Sequence, residues 1–159
     1  MNRMNRALVV KTVAAAAAAY STGDQVGIPV QVANIVDMES GAAKLVSLTV
    51  VDEAAQAVAL DVLLFKLAPT VTSADNDALA ITDAEMTSKC LGVVSVAAAD
   101  FKTVNTTSTV ATVKGIDMVI QAGKGNEARG NTSIWAIVVA RGSPTYAASS
   151  LTLKFGVER

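Results

Sequence analysis

The chain of 159 residues contains no histidine. That excludes serine and cysteine nucleophiles worked by a histidine base, histidine-ligated zinc, and any imidazole pH switch. Cysteine is nearly missing too. Cys90 stands alone, so no disulfide within the chain and no Cys-x-x-Cys site is possible. Its apolar setting before Leu91, Gly92, Val93 and Val94 is that of a small buried hydrophobe rather than a nucleophile. Aromatics are 4% of residues, with Trp135 the only indole, although 52% of residues are apolar. The core must then come from Val, Leu, Ile and Ala. Small side chains each bury little area, at roughly 25 cal/mol per Å². Backbone pairing, and contact with neighbouring subunits, has to supply more of the stability.

Charge is scarce at 17%, with 13 basic against 14 acidic residues. There is no basic stripe of the kind phosphate neutralisation needs, so nucleic acid is not expected as a direct partner. A net charge of −1 gives little colloidal repulsion and favours association. No run approaches the ~20 apolar residues of a transmembrane helix. The expectation is a soluble chain with no membrane partner.

Length suits one domain with a sizeable core. Met1 to Arg6 is polar and reads as a flexible arm leading into a strand from about Ala7 to Val13, so residues 1–13 are expected as an arm or strand and 14–159 as one β-rich domain. Arg3 and Arg6 before the apolar stretch and the alanine run Ala14 to Ala19 superficially resemble a signal peptide, but Lys11 interrupts the would-be apolar core. Those alanines fit either a helical turn or more of the strand. Six residues are too few to be helical alone in water.

Turn signals then recur at the short spacing of an all-β domain. Tyr20 to Gly27 reads as a turn and Ile28 to Val36 as a strand, with Pro29 near its start or on an edge. Lys44 to Val51 alternates cleanly. A polar loop from Asp52 to Gln56 then leads to Val58 to Leu67, predicting a hairpin between the two runs as the spine of the domain. Pro69 stops the second run, and Asp75-Asn76-Asp77 marks a turn. Thr82 to Glu85 has the capping-box pattern of a single helical turn over about 82–88. Further strands are expected at Cys90 to Ala97, Thr103 to Val113 (Thr-rich, an edge), Gly115 to Ala122, Ser133 to Ala140 and Ser150 to Val157. The whole predicts an antiparallel β-sandwich or β-barrel with one short helical turn.

Chemistry-bearing candidates are few. Asp75-Asn76-Asp77 offers oxygen ligands, but the glycine and distant glutamate of a calcium loop are missing in register, and Asx turns account for the pattern. The loop Gly123 to Asn131 has glycines and cations, yet it matches neither phosphate-loop spacing and leads to a strand rather than a helix. A loop reaching a neighbouring subunit, through Lys124 and Arg129, is one reading of it; a solvated hairpin loop is the other. Asp61 is the one acid that interrupts an apolar run, and it is expected to face solvent or pair with a Lys or Thr on the next strand. Asn105-Thr106-Thr107 and Asn131-Thr132-Ser133 match glycosylation sequons, which matter only outside the cytoplasm. No cofactor or metal site is indicated.

Several short signatures occur in order: Tyr20 with Gly23, Asp24 and Gly27; the loop at Asp52; Leu63-Leu64-Phe65 with Pro69-Thr70; Asp75-Asn76-Asp77-Ala78; and Leu91-Gly92-Val93. Over roughly Tyr20 to Val96 this order resembles the head decoration (cement) and minor virion structural proteins of tailed bacteriophages. The resemblance implies a β-rich, commonly trimeric protein on the capsid surface, made in the host cytoplasm, which bridges major capsid subunits without catalysis. The contact element expected on that reading is the N-terminal segment, with Arg3, Arg6, Leu8 and Val10, together with Lys124 and Arg129. Such an arm orders on binding or adds as a strand to an exposed edge. The alternative is a secreted, pilin-like β-sandwich with residues to about Ala19 removed as a signal. A carboxylate-only enzyme built around Asp61 is a third reading.

Overall fold

The computed structural model describes residues 5–124 and 131–159. Apolar and polar residues alternate through most of its strands, and two antiparallel sheets pack on the apolar faces so produced. The first sheet holds β1 (Arg6–Val13), β4 (Ala42–Asp52), β7 (Phe101–Thr103), β8 (Thr109–Gln121) and β11 (Leu151–Glu158), in the order β1-β11-β4-β8-β7. The second holds β3 (Gln25–Val32), β5 (Leu60–Phe65), β6 (Cys90–Val96) and β9 (Ile134–Ala140), in the order β3-β9-β5-β6. A two-stranded ribbon of β2 (Ala18–Ala19) and β10 (Thr145–Tyr146) lies apart from both. The fold is an all-β sandwich with one short helix, α1 (Asp83–Lys89).

The main core lies between the sheets. Leu45, Leu48, Val50, Leu151, Leu153 and Phe155 from the first are fully buried with Val62, Leu64, Ile134 and Ala136 from the second. A smaller core occupies the opposite face of the second sheet. There Leu63, Phe65, Ile137 and Val139 pack under Val71, Leu79, Ile81 and Met86, carried by segment 66–89. β5 and β9 therefore bury both faces, which matches their nearly unbroken apolar sequence.

The expected hairpin between Lys44–Val51 and Val58–Leu67 does not exist. β4 pairs with β11 and β8, whereas β5 pairs with β6 and β9 in the other sheet. The loop after β4 carries the chain across the sandwich. Asp52, fully buried, directs the crossing: its carboxylate accepts hydrogen bonds from the backbone N–H of Ala54, Gln56 and Ala57 at 2.7–3.0 Å. Ala55 and Ala57 consequently take left-handed conformations, with φ near 50°, that a tight hairpin would give to glycine.

Other boundaries shift for local reasons. The two strands expected at 103–113 and 115–122 are a short β7, a turn, and one long β8. The turn is an Asx turn in which Asn105 Oδ1 accepts from the N–H of Thr107. β8 runs on through Gly115 and Asp117 because their positive φ values absorb a bulge against β4 between Leu45 and Ser47. The Tyr20–Gly27 turn gives way to β3 at Gln25, three residues before the expected start at Ile28, and that strand ends at Val32 rather than Val36. Gly27, at φ +72, lets β3 approach the end of β1: a Cβ there would meet Val13 Cγ1 at 2.8 Å. The alanine run is not helical, and Ala18 and Ala19 pair with Tyr146 and Thr145. α1 forms where expected, with Thr82 Oγ1 accepting from Glu85 N–H, but the return half of the capping box is absent. Glu85 instead accepts from Thr70 N–H and pairs with Lys89 Nζ.

Candidate interaction surface

The outer face of the first sheet follows from its registers. Arg6, Glu158, Lys44 and Val119 form one row; Leu8, Gly156, Ser47 and Lys114 the next; then Val10, Lys154, Thr49 and Thr112; then Thr12, Thr152, Val51 and Val110. The face is thus mostly threonine, valine and lysine, with Arg6, Glu158, Leu8, Ser47 and Gly156, and no aromatic in these rows. Thr49 and Thr112 share a hydroxyl hydrogen bond at 3.1 Å, and Thr12 and Thr152 one at 3.5 Å. Cross-strand ion pairs close one end: Arg6 with Glu158 at 2.8 Å and Lys44 with Asp117 at 2.6 Å. Asp117 holds the Lys44 ammonium above the usual lysine range. Leu8 and Val10 stand out from β1 at 62% and 54% exposure, and Val119 from β8 at 66%.

Among the described residues β1 pairs with β11 alone and forms a free edge of the sheet. Lys11 lies half-buried on the core side of that edge. An inward-leaning cation on an edge strand disfavours pairing with another strand. The edge is therefore guarded, while the face beside it is bare.

The residues singled out from the sequence separate as follows. Arg6, Leu8 and Val10 share the outer side of β1. Lys124 is exposed at the far end of β8, beside Lys66. Arg3 and Arg129, with most of the loop 123–131, lie outside the described residues. From Arg6 onward the expected arm is a paired strand, so ordering on binding is not available to that part. Asp61 does face outward, but its partners are Ser95 Oγ and Arg141 Nε, both at 2.6 Å, rather than a Lys or Thr. Asp75 is a staple: it accepts from Ala16 N–H, Gly27 N–H and Tyr20 OH at 2.6–2.9 Å, tying the segment before β2 to β3. Burial and the Asp75 carboxylate together push the Tyr20 phenol up to about 12. Cys90 is half-buried, with its Sγ 3.9 Å from the carbonyl of Gly92.

Two concavities occur among the described residues. A groove of about 340 Å³ is lined by Thr70, Thr72, Ala80, Ile81, Thr82 and Glu85. Lys89 and the Thr70 N–H hold the Glu85 carboxyl below the usual range, which leaves it an ion-pair partner with no proton to give near neutral pH. A recess of about 270 Å³ lies between the ends of β5 and β8. No group of three or more Cys, Asp or Glu residues suited to a metal occurs among the described residues. No helix among them is long and apolar enough to cross a membrane.

Sequence reasoning missed the roles of Asp52 and Asp75. A usable signal existed for Asp52, an acid opening an alanine-rich loop whose backbone N–H groups need an acceptor; Asp75 serves Ala16 and Gly27, 59 and 48 residues away, which no local pattern shows. No protein-family model matches the chain, and no curated protein is significantly similar to it in sequence.

Proposed function

We propose that this protein is a non-enzymatic structural component of a bacteriophage virion, a decoration protein that sits on the capsid and reinforces contacts between major capsid subunits. The observation that carries this reading is the bare outer face of the five-stranded sheet. It mixes threonines and valines, stiff at χ1 and cheap to fix, with longer lysine, arginine and glutamate side chains, and exposed Leu8, Val10 and Val119 add apolar contact. Strands ~4.8 Å apart rising ~3.3 Å per residue give this face a plan area of about 450 Å². A standard interface takes about 800 Å² from each partner. One face would hold one site weakly, and only an assembly that engages several sites at once would multiply that weak contact. Association as a homotrimer would bring several such faces together, so that the capsid reads them as one unit.

With Lys11 guarding the edge, the contact uses the face of β1 rather than strand addition. Purified protein is therefore added to phage heads assembled without it, alongside a Leu8→Glu/Val10→Glu variant that leaves the β1 backbone in place. The parent should cosediment with the heads and raise their resistance to heat, and the variant should do neither. Equal binding by both would remove the face from the account. Light scattering reports the oligomer, and a strict monomer at high concentration would overturn the trimer. The pilin-like alternative is disfavoured by β1 itself. Cleavage after Ala19 would remove the strand that pairs with β11, along with buried Val13 and Ala15. An N-terminal sequence of the mature protein starting near Tyr20 would reverse that judgement.

A further inference from the structure

The recess between the ends of β5 and β8 is lined by Ser40, Lys66, Leu67, Gln121, Gly123 and Lys124, together with Ala122. Lys66 follows the last residue of β5, in one sheet, and Lys124 follows the end of β8, in the other. Like charges from separate sheets come together only if the backbone is forced, and here it is. Gly123 N–H donates to the carbonyl of Lys66 at 2.7 Å. The approach needs glycine: a Cβ at 123 would lie 2.5 Å from Leu67 Cγ and 3.0 Å from the Lys66 carbonyl oxygen. The carbonyl of Gly123 is held in turn by Asn131 Nδ2 at 2.9 Å, from a side chain that is itself buried. Both polar groups of Gly123 are thus fixed, and with them the start of Lys124.

Among the described residues the rim adds neutral polar groups and no acid. Gln121 Nε2 donates to the Ser40 carbonyl, bridging the loop before β4 to the end of β8. Glu39, next in sequence to Ser40, is not part of the lining. Among the described residues neither Lys66 nor Lys124 has an ion-pair partner, whereas Lys44 and Lys89 each have one. Two cations sharing a recess with no acid among its described lining residues leave an electrostatic deficit that an anion would relieve. The volume of about 270 Å³ exceeds that of a small inorganic anion and suits a carboxylate side chain with its flanking backbone.

We propose that this recess is a docking site for an acidic segment of a partner protein, whose carboxylate lies between Lys66 and Lys124. Lys66 is half-buried and Lys124 exposed, and lysines that keep contact with solvent give modest affinity each and a strong salt dependence. The site adjoins the β8 end of the face proposed to meet the capsid, since Gln121 stands two residues beyond Val119 on the same strand.

The test uses the full-length protein, isotopically labelled, titrated with a hexaglutamate peptide and followed by backbone amide shifts. Shifts should cluster at Lys66, Leu67, Gln121, Gly123 and Lys124, and a hexaglutamine peptide should give none. A Lys66→Gln/Lys124→Gln variant should bind about tenfold more weakly, consistent with two solvent-screened ion pairs, while Lys66→Arg/Lys124→Arg retains binding and shows that charge rather than folding is at issue. Shifts elsewhere, no shifts, or unchanged affinity in the glutamine variant would overturn the proposal. So would inorganic phosphate binding as tightly as the peptide, since that would make the recess a site for free anions. No capsid enters the measurement, so its failure and a failure of the capsid reading are distinguishable.

Discussion

On the four-stranded sheet, β5 and β9 are apolar on both sides and segment 66–89 lies over the outer one; on the five-stranded sheet, β1, β11 and β4 alternate and the outer face is bare. The same strand geometry serves both, so the difference lies in what the outward residues can bear. Phe65, Ile137 and Val139 would expose a large apolar patch without their cover, and Thr49, Thr112 and Thr152 need none. The covered face is stability kept within the chain. The bare face is left to solvent by the described residues.

The largest test of that contrast is a pair of truncations. Phe65 is fully buried in the smaller core, and Phe65→Ala should cost about 3–5 kcal/mol in urea unfolding. Leu8→Ala on the bare face should stay within about 0.5 kcal/mol. If the two variants unfolded at similar urea concentrations, the faces would not differ as described.

Asp52 sits where the chain leaves one sheet for the other. Replacing it by alanine leaves three backbone N–H groups in the crossing loop without their acceptor. The expected loss is about 2–3 kcal/mol, read from the same unfolding curves. A loss no greater than that of Leu8→Ala would mean the loop holds its path without the carboxylate.

A further comparison is between the sheets and the β2–β10 ribbon, where Tyr20 and Tyr146 pack with ring centroids 5.6 Å apart. Burial raises both phenols, Tyr20 to about 12 and Tyr146 further, with Asp75 adding to the first and Asp52 to the second. The free tyrosine value is near 10. Between about pH 10 and 12 the unfolded chain therefore binds fewer protons than the folded one, and stability falls as pH rises. Below pH 10 this contribution is fully present. A Tyr20→Phe/Tyr146→Phe variant should show a flatter decline over that range, although it starts lower for want of the Tyr20–Asp75 hydrogen bond. An equally steep decline in the variant would place the alkaline sensitivity elsewhere.

Much of this architecture can be read in the sequence, because alternation is local. The spacing of Leu45 to Val51, the apolar run of β9 and the cap at Thr82 all lie within a few residues of one another. Strand pairing is not local, and there the reading failed. β4 and β5 look like two arms of a hairpin unless one notices that β4 alternates while Leu60 to Phe65 is apolar on both sides apart from Asp61. That asymmetry already assigns them to different surroundings. The sequence divides β8 at Lys114-Gly115 because a glycine in a strand reads as a turn as readily as a bulge. Arg6, Leu8 and Val10 were legible as one exposed side by alternation alone. The Lys66–Lys124 recess was not, since only folding brings residues so distant in sequence together across Gly123.

The smallest expected effect on stability bears most directly on function. Leu8→Ser and Val10→Ser remove apolar atoms that are more than half exposed, in a strand whose core-side residues Val9 and Val13 are untouched. Little transfer free energy is lost, so each should change stability by about 0.5 kcal/mol or less. If the proposed capsid contact is right, cosedimentation with undecorated heads should nevertheless fall for the pair, because that contact would bury those atoms only in the complex. That separation, stability kept and binding lost, is what a bare face held for a partner requires. Were the serine variant instead to lose stability and keep its binding, Leu8 and Val10 would belong to the fold, and the bare face would be only the solvated side of a sheet.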